Sequence, residues 1–268
     1  MKAVSTWSLH RTLGSYNSGD SPTNSAALAT PNGGIPLLEL PAQLHSHGYD
    51  TVQIVHFHVP TRDPQYLAEL RSALADSDVA LDAVLVDDGD LTHPTDADAH
   101  QDWIARWLDD SAALGAKRAR VIAGKQPPTA ARLADSGRRL ATLANEHADV
   151  RIVTENWFAL TPGAAEVHAV LDAADGQIGF LIDLGNWPAP DKYEQLAAVA
   201  SKAETCHAKC HFTNGSPDSD DYARSLETLH EVDYTGPLAL IYDGENDNEW
   251  ECLTREHEIT ERVFANAV

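Results

Sequence analysis

The chain is poor in positive charge, cysteine and long apolar runs, and each shortage excludes something. Nineteen Lys and Arg stand against 41 Asp and Glu, a formal net charge of −22. Such a surface repels polyanions, so nucleic acid is not expected as a partner. The acids are scattered (Asp76, Asp78, Asp96, Asp98, Asp218, Asp220, Asp221) and lysine is rare beside arginine, a balance compatible with a surface adapted to high salt. Three cysteines, Cys206, Cys210 and Cys252, do not make a disulfide framework. On an extended strand Cys206 and Cys210 stand about 13 Å apart, beyond bonding reach, so buried thiols are expected. No apolar run approaches the roughly 18–20 residues that cross a bilayer, and Met1–Trp7 lacks the apolar stretch of a signal peptide. The expectation is a cytoplasmic protein without a membrane partner. Gly-x-Gly-x-x-Gly follows none of the apolar runs, so a dinucleotide site has no support.

What is present is ordinary globular composition, 43% hydrophobic and 22% charged, over 268 residues. A chain of that length buries one large core. The stretch around which the rest organises is Thr205-Cys206-His207-Ala208-Lys209-Cys210-His211. Read as a strand, it places Thr205, His207, Lys209 and His211 on one face and both cysteines on the other. Polar groups on a buried face need partners, so the stretch is either a solvated edge strand or one wall of a site.

The periodicity predicts eight strands, each followed by a helical pattern. The strands span 3–9, 51–57, 81–86, 118–123, 150–155, 178–183, 204–210 and 237–243. Helices are expected from about Leu37 to Gly48, then near 64–77, 98–114, 130–148, 162–174, 191–200, 220–232 and 250–264. A Gly/Ser/Asn/Pro-rich connection, Gly14 to Pro36, has no helical period. Eight strands mostly about 30 residues apart, alternating with helices, fit a (β/α)8 TIM barrel formed by residues 1–268 as one domain.

In such barrels the working side chains sit at the C-terminal ends of the strands. Those ends carry Trp7 and His10; His56 and His58; Asp87 and Asp88; Lys125; Glu155, Asn156 and Trp157; Asp183 and Asn186; His207, Lys209 and His211; Asp243 and Glu245. Any one of them alone is more often a solvated strand end than a site. Glu155, Asp183 and His207 end three consecutive strands, so the fold brings them together. Two carboxylates and an imidazole suit Mn²⁺, Mg²⁺, Co²⁺ or Zn²⁺, and spacing does not choose among them; a metal-free hydrogen-bonded cluster is the plain alternative. Lys125 and Lys209 bring positive charge, for a substrate oxyanion or phosphate or as counter-ions. A Schiff-base role for Lys209 is opposed by the neighbouring carboxylates, which favour its charged form. Trp7, Trp157 and Trp187 are candidates for stacking on a sugar, although core packing explains any one of them equally.

The order Glu155-Asn156, Asp183-x-Gly185-Asn186 and His207-x-Lys209 on strands five to seven resembles the xylose isomerase-like TIM barrels, the superfamily of sugar phosphate isomerases/epimerases and AP endonuclease 2. Thr6-Trp-Ser-Leu-His-Arg, His56-Phe-His58 and Glu155-Asn-Trp-Phe resemble a bacterial and archaeal branch of it. The resemblance implies metal ligation by Glu155, Asp183 and His207, with a further acid on strand eight. There the sequence reads Leu240-Ile241-Tyr242-Asp243-Gly244, so Ile241 stands at the family's second Glu and Asp243, one pleat on, is the substitute expected as a ligand. An offset of two residues on strand seven would instead bring Lys209 to the ligand position. By the same resemblance Glu155, Lys209 and His211 are the catalytic candidates. Trp7, His10, His56, His58, Lys125, Trp157 and Asn186 are the substrate-binding candidates. The implied activity is isomerisation or epimerisation of a sugar-like hydroxy-carbonyl compound through an enediolate, and an oligomer of identical chains is compatible with it. A lyase or dehydratase on the same metal, or a metal-free sugar-binding barrel, are the other readings. AP endonuclease activity is disfavoured by the acidity.

Overall fold

The computed structural model describes residues 2–14, 22, 34–188, 190–245 and 248–265. Eight parallel strands close on themselves: β1 (Ala3–Ser5), β2 (Thr51–Val55), β3 (Ala80–Val86), β4 (Arg118–Val121), β5 (Arg151–Glu155), β6 (Gly179–Asp183), β7 (Ala203–Cys210) and β8 (Leu238–Tyr242). Each is followed by a helix: α1 (Leu40–Ser46), α2 (Pro64–Asp76), α3 (Ala97–Leu114), α4 (Ala130–Glu146), α5 (Ala164–Ala173), α6 (Lys192–Ala200), α7 (Ser219–His230) and α8 (Glu249–Ala265). This is a (β/α)8 TIM barrel. The strands are buried on both faces, which is why they read as near-continuous Val, Ile, Leu and Ala runs.

Local chemistry sets the ends. Ser5 accepts a hydrogen bond from the Trp7 amide at 3.2 Å and turns β1 into a 3₁₀ helix, Thr6–Leu9, so the first strand is shorter than the 3–9 expected from its apolar run. β2 likewise stops at Val55, and His56–His58 form a 3₁₀ turn closed by Val59 N–H to His56 O at 3.1 Å. Gly115 closes α3 in the left-handed conformation at φ +76°, as its position after Leu114 anticipates. A short hairpin, Phe212–Thr213 with Ser216–Pro217, follows β7 and has no counterpart in the sequence expectation. Most of the connection from Gly14 to Pro36 lies outside the described residues.

The barrel interior is layered. Near the N-terminal ends, Gln53 donates to Asp82 at 2.9 Å and to Thr205 at 3.0 Å, Thr205 donates to Asp82 at 2.8 Å, and Arg118 pairs with the same carboxylate. Above this sit Val55, Ala83, Leu85, Val153 and Leu181, capped by Trp7 and Phe57. The third layer, at the C-terminal mouth, is polar. β7 lies between β6 and β8, so the solvated-edge reading of Thr205–His211 is wrong; a closed barrel has no edge. His207 pairs with Asp183 on β6, and Lys209 with Ile241 on β8. Cys206 and Cys210 are free, buried thiols.

Behind β7, Glu256 of α8 is fully buried and accepts a hydrogen bond from the Cys210 amide at 3.0 Å, while its other oxygen has no partner. Burial holds its pKa well above the ordinary carboxylate range, so it is folded as the neutral acid. The unfolded chain ionises this group near pH 4.5. Between that pH and the folded pKa the native state carries the extra proton, and stability falls as pH rises. Glu256→Gln therefore gains stability over the parent as pH rises above 4.5 in urea denaturation; parallel curves would mean an ionised Glu256.

Candidate metal centre and cleft

The three ends of β5, β6 and β7 converge as the spacing requires. Glu155 is 3% exposed, Asp183 3% and His207 4%, and one ligand atom from each lies within 4.8 Å of the others. His207 Nδ1 stands 3.1 Å from Glu155 Oε1 and 3.5 Å from Asp183 Oδ2. Each carboxylate is oriented from behind. Asn186 Nδ2 donates to Glu155 Oε1 at 3.0 Å, and Gly185 N–H donates to Asp183 Oδ1 at 2.7 Å. Asn156 ties β5 to β6 by donating to the Asp183 carbonyl at 2.9 Å and accepting the Asp183 amide at 2.7 Å.

Burial by itself would lower the His207 pKa, but the charges and hydrogen bonds of Glu155 and Asp183 carry it up to about 9. Burial would raise Asp183; its bonds to His207 and Gly185 and the charge of Lys209 hold it below the usual carboxylate range. The three side chains thus attract positive charge strongly. The donor set fits a divalent ion: bonds of about 2.0–2.2 Å place neighbouring donors roughly 3–3.5 Å apart, and the distances from His207 to Glu155 and to Asp183, 3.1 and 3.5 Å, match that spacing. The mouth carries Asp87, Glu155, Asp183 and Asp243 against Arg120, Lys209 and the protonated His207, an excess of one negative charge.

A cleft opens above the cluster at the mouth of the barrel. Trp7, Trp157, Asn186, Lys209 and Ile241 line it together with Asp87 and Arg120. Lys209 lays its stem against Gly185, where a Cβ would come within 2.7 Å of it, and its ammonium meets Asp243 at 3.0 Å. Although burial works against its charge, Asp183 and Asp243 raise its pKa. His207, not Lys209, joins the two carboxylates. Asp243, expected as a ligand, is ion-paired to Lys209 and stays outside the cluster of Glu155, Asp183 and His207.

Several other expected residues stand elsewhere. His56 is buried against Trp103 and Trp107, its Nδ1 accepts the Asp87 amide at 3.1 Å, and burial lowers its pKa to about 4. His58 is buried with Nδ1 2.8 Å from Thr6 Oγ1, its pKa lowered to about 3 by burial. Both were turned off the lumen by the 3₁₀ helix that ends β2. His10 packs with Nδ1 2.9 Å from the Trp7 carbonyl, Lys125 pairs with Asp88 at 2.8 Å, and His211 lies at the rim with Nε2 3.2 Å from the Gly185 carbonyl. None of these five lines the cleft. Trp187 is buried and donates to the Thr161 carbonyl at 3.1 Å.

The residue that sequence reasoning missed is Arg120. It is 1% exposed on β4, its guanidinium pairs with Asp87, its Nε lies 3.0 Å from Glu155 Oε2, and its carbon centre stands 5.1 Å from the Trp157 ring. Arg118 and Arg120, two apart on a strand buried on both sides, share an inward face, and that pattern was the available signal.

Comparison with known proteins gives the same architecture. The sequence matches the family model for xylose isomerase-like TIM barrels over residues 41–261. No curated protein matches it. Among solved structures, a xylose isomerase-like TIM barrel protein from Mycobacterium smegmatis in complex with magnesium superposes with a TM-score of 0.70 at 16% identity, covering 99% of this chain and 97% of that one. D-allulose 3-epimerase from Methylomonas sp. gives 0.70 at 15% identity, covering 97% and 96%. A 3-keto-D-glucoside 4-epimerase from E. coli gives 0.65 at 14%, covering 85% and 95%. At such identities the likeness is one of fold.

Removing the Arg120 charge takes from the buried carboxylates of Asp87 and Glu155 the cation that stands beside both. Arg120→Met is expected to cost about 3–5 kcal/mol of folding stability, and Arg120→Lys less. A midpoint of denaturation unchanged in Arg120→Met would contradict the pairing.

Proposed function

The chain belongs to the xylose isomerase-like TIM barrels, and from that premise we propose that it is a divalent-metal-dependent isomerase acting on a sugar or sugar-like hydroxy-carbonyl compound. The observation that carries this reading is the convergence of Glu155, Asp183 and His207 within 4.8 Å, buried at the mouth of the barrel. These three would hold the ion. When bound, such an ion acts as a Lewis acid on substrate oxygens, worth several kcal/mol of charge stabilisation.

The protein's own groups supply the rest. Glu155 is the proton carrier: its carboxylate faces the cleft, held by Asn186 on one oxygen and Arg120 beside the other. A positioned acid–base group of this kind contributes about 10²–10⁴-fold. The Lys209 ammonium, fixed by Asp243 and its notch at Gly185, supplies positive charge where negative charge develops on a substrate oxygen. Trp7 and Trp157 wall the cleft and limit water at the reacting carbons.

Ile241 bears on the type of reaction. It lines the cleft in register with Lys209, so the strand-eight wall offers an alkyl group at that level. Inverting one carbon needs a proton acceptor on one face and a donor on the other. Moving a proton between adjacent carbons on one face needs only Glu155. Isomerisation is therefore favoured over epimerisation. A second reading, a metal-free sugar-binding barrel, draws on the same Ile241 and on the hydrogen bonding of His207 to Glu155, which balances the cluster without an ion.

Metal titration separates the two. Adding Mn²⁺ or Zn²⁺ at a hundred times its Kd should stabilise the fold by about 2.7 kcal/mol, read as a rise in Tm. Glu155→Gln should fold, lose that rise and lose bound metal by elemental analysis. No stabilisation of the parent, or unchanged metal content in the variant, would refute the metal-dependent reading.

A further inference from the structure

Isomerising a hydroxy-ketone moves two protons. One leaves a C–H bond and returns to the neighbouring carbon, the step assigned to Glu155. The other leaves the hydroxyl oxygen and ends on the oxygen that began as the carbonyl. Glu155, holding the first, does not take up the second as well.

The lining of the cleft narrows the choice of a carrier for that second proton. Against the pull of burial, Asp183 and Asp243 keep Lys209 charged, so it offers no acceptor. His207 turns Nδ1 to Glu155 and Asp183, Asn186 donates to Glu155, and Ser5 Oγ accepts the Trp7 amide. Strand eight presents Ile241. Among the described residues that line the cleft, one carboxylate remains outside the cluster: Asp87, the first residue after β3.

Asp87 is held from two sides. Arg120 docks on the end of β3, donating to the Val86 carbonyl at 3.3 Å and to Asp87 Oδ1. The Nε of the same guanidinium lies 3.0 Å from Glu155 Oε2, so one planar cation sets the two carboxylates at a fixed separation. From behind, His56 Nδ1 accepts the Asp87 amide at 3.1 Å. Trp103 and Trp107 wall that imidazole edge-on, with ring centres 5.4 and 5.2 Å away. Burial lowers its pKa to about 4, which keeps it neutral and able to accept. Asp87 Oδ2 has no hydrogen bond or ion pair among the described residues, and 8% of the side chain stays open at the cleft. Neutralising Arg120 does not by itself account for Asp87, because Glu155 stands beside the same guanidinium.

We propose that Asp87 is a second catalytic residue of this site and carries the oxygen-bound proton of the substrate. It accepts that proton through Oδ2 from the hydroxyl oxygen and delivers it to the neighbouring oxygen, while Glu155 transfers the carbon-bound proton. Each carboxylate ends the cycle as it began, and no electrons leave the substrate. The proposal rests on the isomerase reading and adds a residue that neither the metal cluster nor strand eight supplies. Arg120 is the positioning residue of the pair.

The test uses the full chain loaded with Mn²⁺ and titrated with glycolohydroxamate, whose two adjacent oxygens lie in one plane as those of an enediolate do. Calorimetry in two buffers of different ionisation enthalpy counts the protons released on binding at neutral pH. In the parent the hydroxamic proton passes to Asp87 and none reaches the buffer. Asp87→Asn should bind the probe about tenfold more weakly, the worth of a hydrogen bond to a charged group. It should also release about one proton per probe bound, while its Mn²⁺ affinity stays that of the parent. Should the amide disturb Arg120 and prevent folding, Asp87→Ser, smaller and uncharged, is held to the same readings. A proton released by the parent, an equal affinity or proton count in the variant, or a Mn²⁺-loaded parent that does not bind the probe would each overturn the inference. Any of these with Mn²⁺ binding preserved leaves the isomerase reading standing, whereas absent Mn²⁺ binding in the parent removes that reading and this one with it.

Discussion

A carboxylate buried to 3% exposure cannot stand alone, and the mouth of this barrel is arranged around that constraint at Glu155. Its Oε1 faces the His207 ring and the Asn186 amide, and its Oε2 faces Arg120. Each partner is itself anchored: His207 beside Asp183, Arg120 by Asp87, Asp183 by the Gly185 amide and by Asn156. Four adjacent strands, β4 to β7, each contribute one member of this network. Parallel neighbours in a closed barrel hold such side chains at fixed separations, so chemistry collects at the strand ends and in the loops that follow them.

The network is lopsided. Its carboxylates come from β3, β5 and β6, while β8 offers Ile241 at the level of Lys209 and, one pleat further out, Asp243 spent on that lysine. A site built this way would offer a cation its carboxylates on one side and an apolar surface on the other. The aromatic residues extend that surface: Trp7 and Trp157 in the cleft, Phe158 beside it. Charged and apolar side chains together line the cleft.

Much of this was legible in the residues. The alternation of strand and helix patterns about 30 residues apart gives parallel strands covered on both faces, and the count of eight favours a closed barrel over an open doubly wound sheet. The cluster of Glu155, Asp183 and His207 followed from their being the last inward residues of consecutive strands. What escaped reading did so for local reasons. His56 and His58 look like strand-end residues, yet the chain turns into a 3₁₀ helix at Val55 and packs His56 against tryptophans. Arg120 lies in a four-residue strand, Arg-Ala-Arg-Val, that resembles a solvated segment until one asks what two inward arginines must pair with. Asp243 shares the inward face that a ligand needs. Its reach is taken up by Lys209, a contact across β7 and β8 that no one-dimensional pattern contains.

The central claim is that Glu155, Asp183 and His207 hold a divalent cation. Diffraction from crystals grown with Mn²⁺, recorded at an energy where manganese scatters anomalously, tests it directly. One anomalous peak is expected within bonding distance of all three side chains, with Lys209 and Arg120 outside its coordination sphere. A cluster that stays closed by the His207–Glu155 hydrogen bond in saturating Mn²⁺, with no peak there, would contradict it.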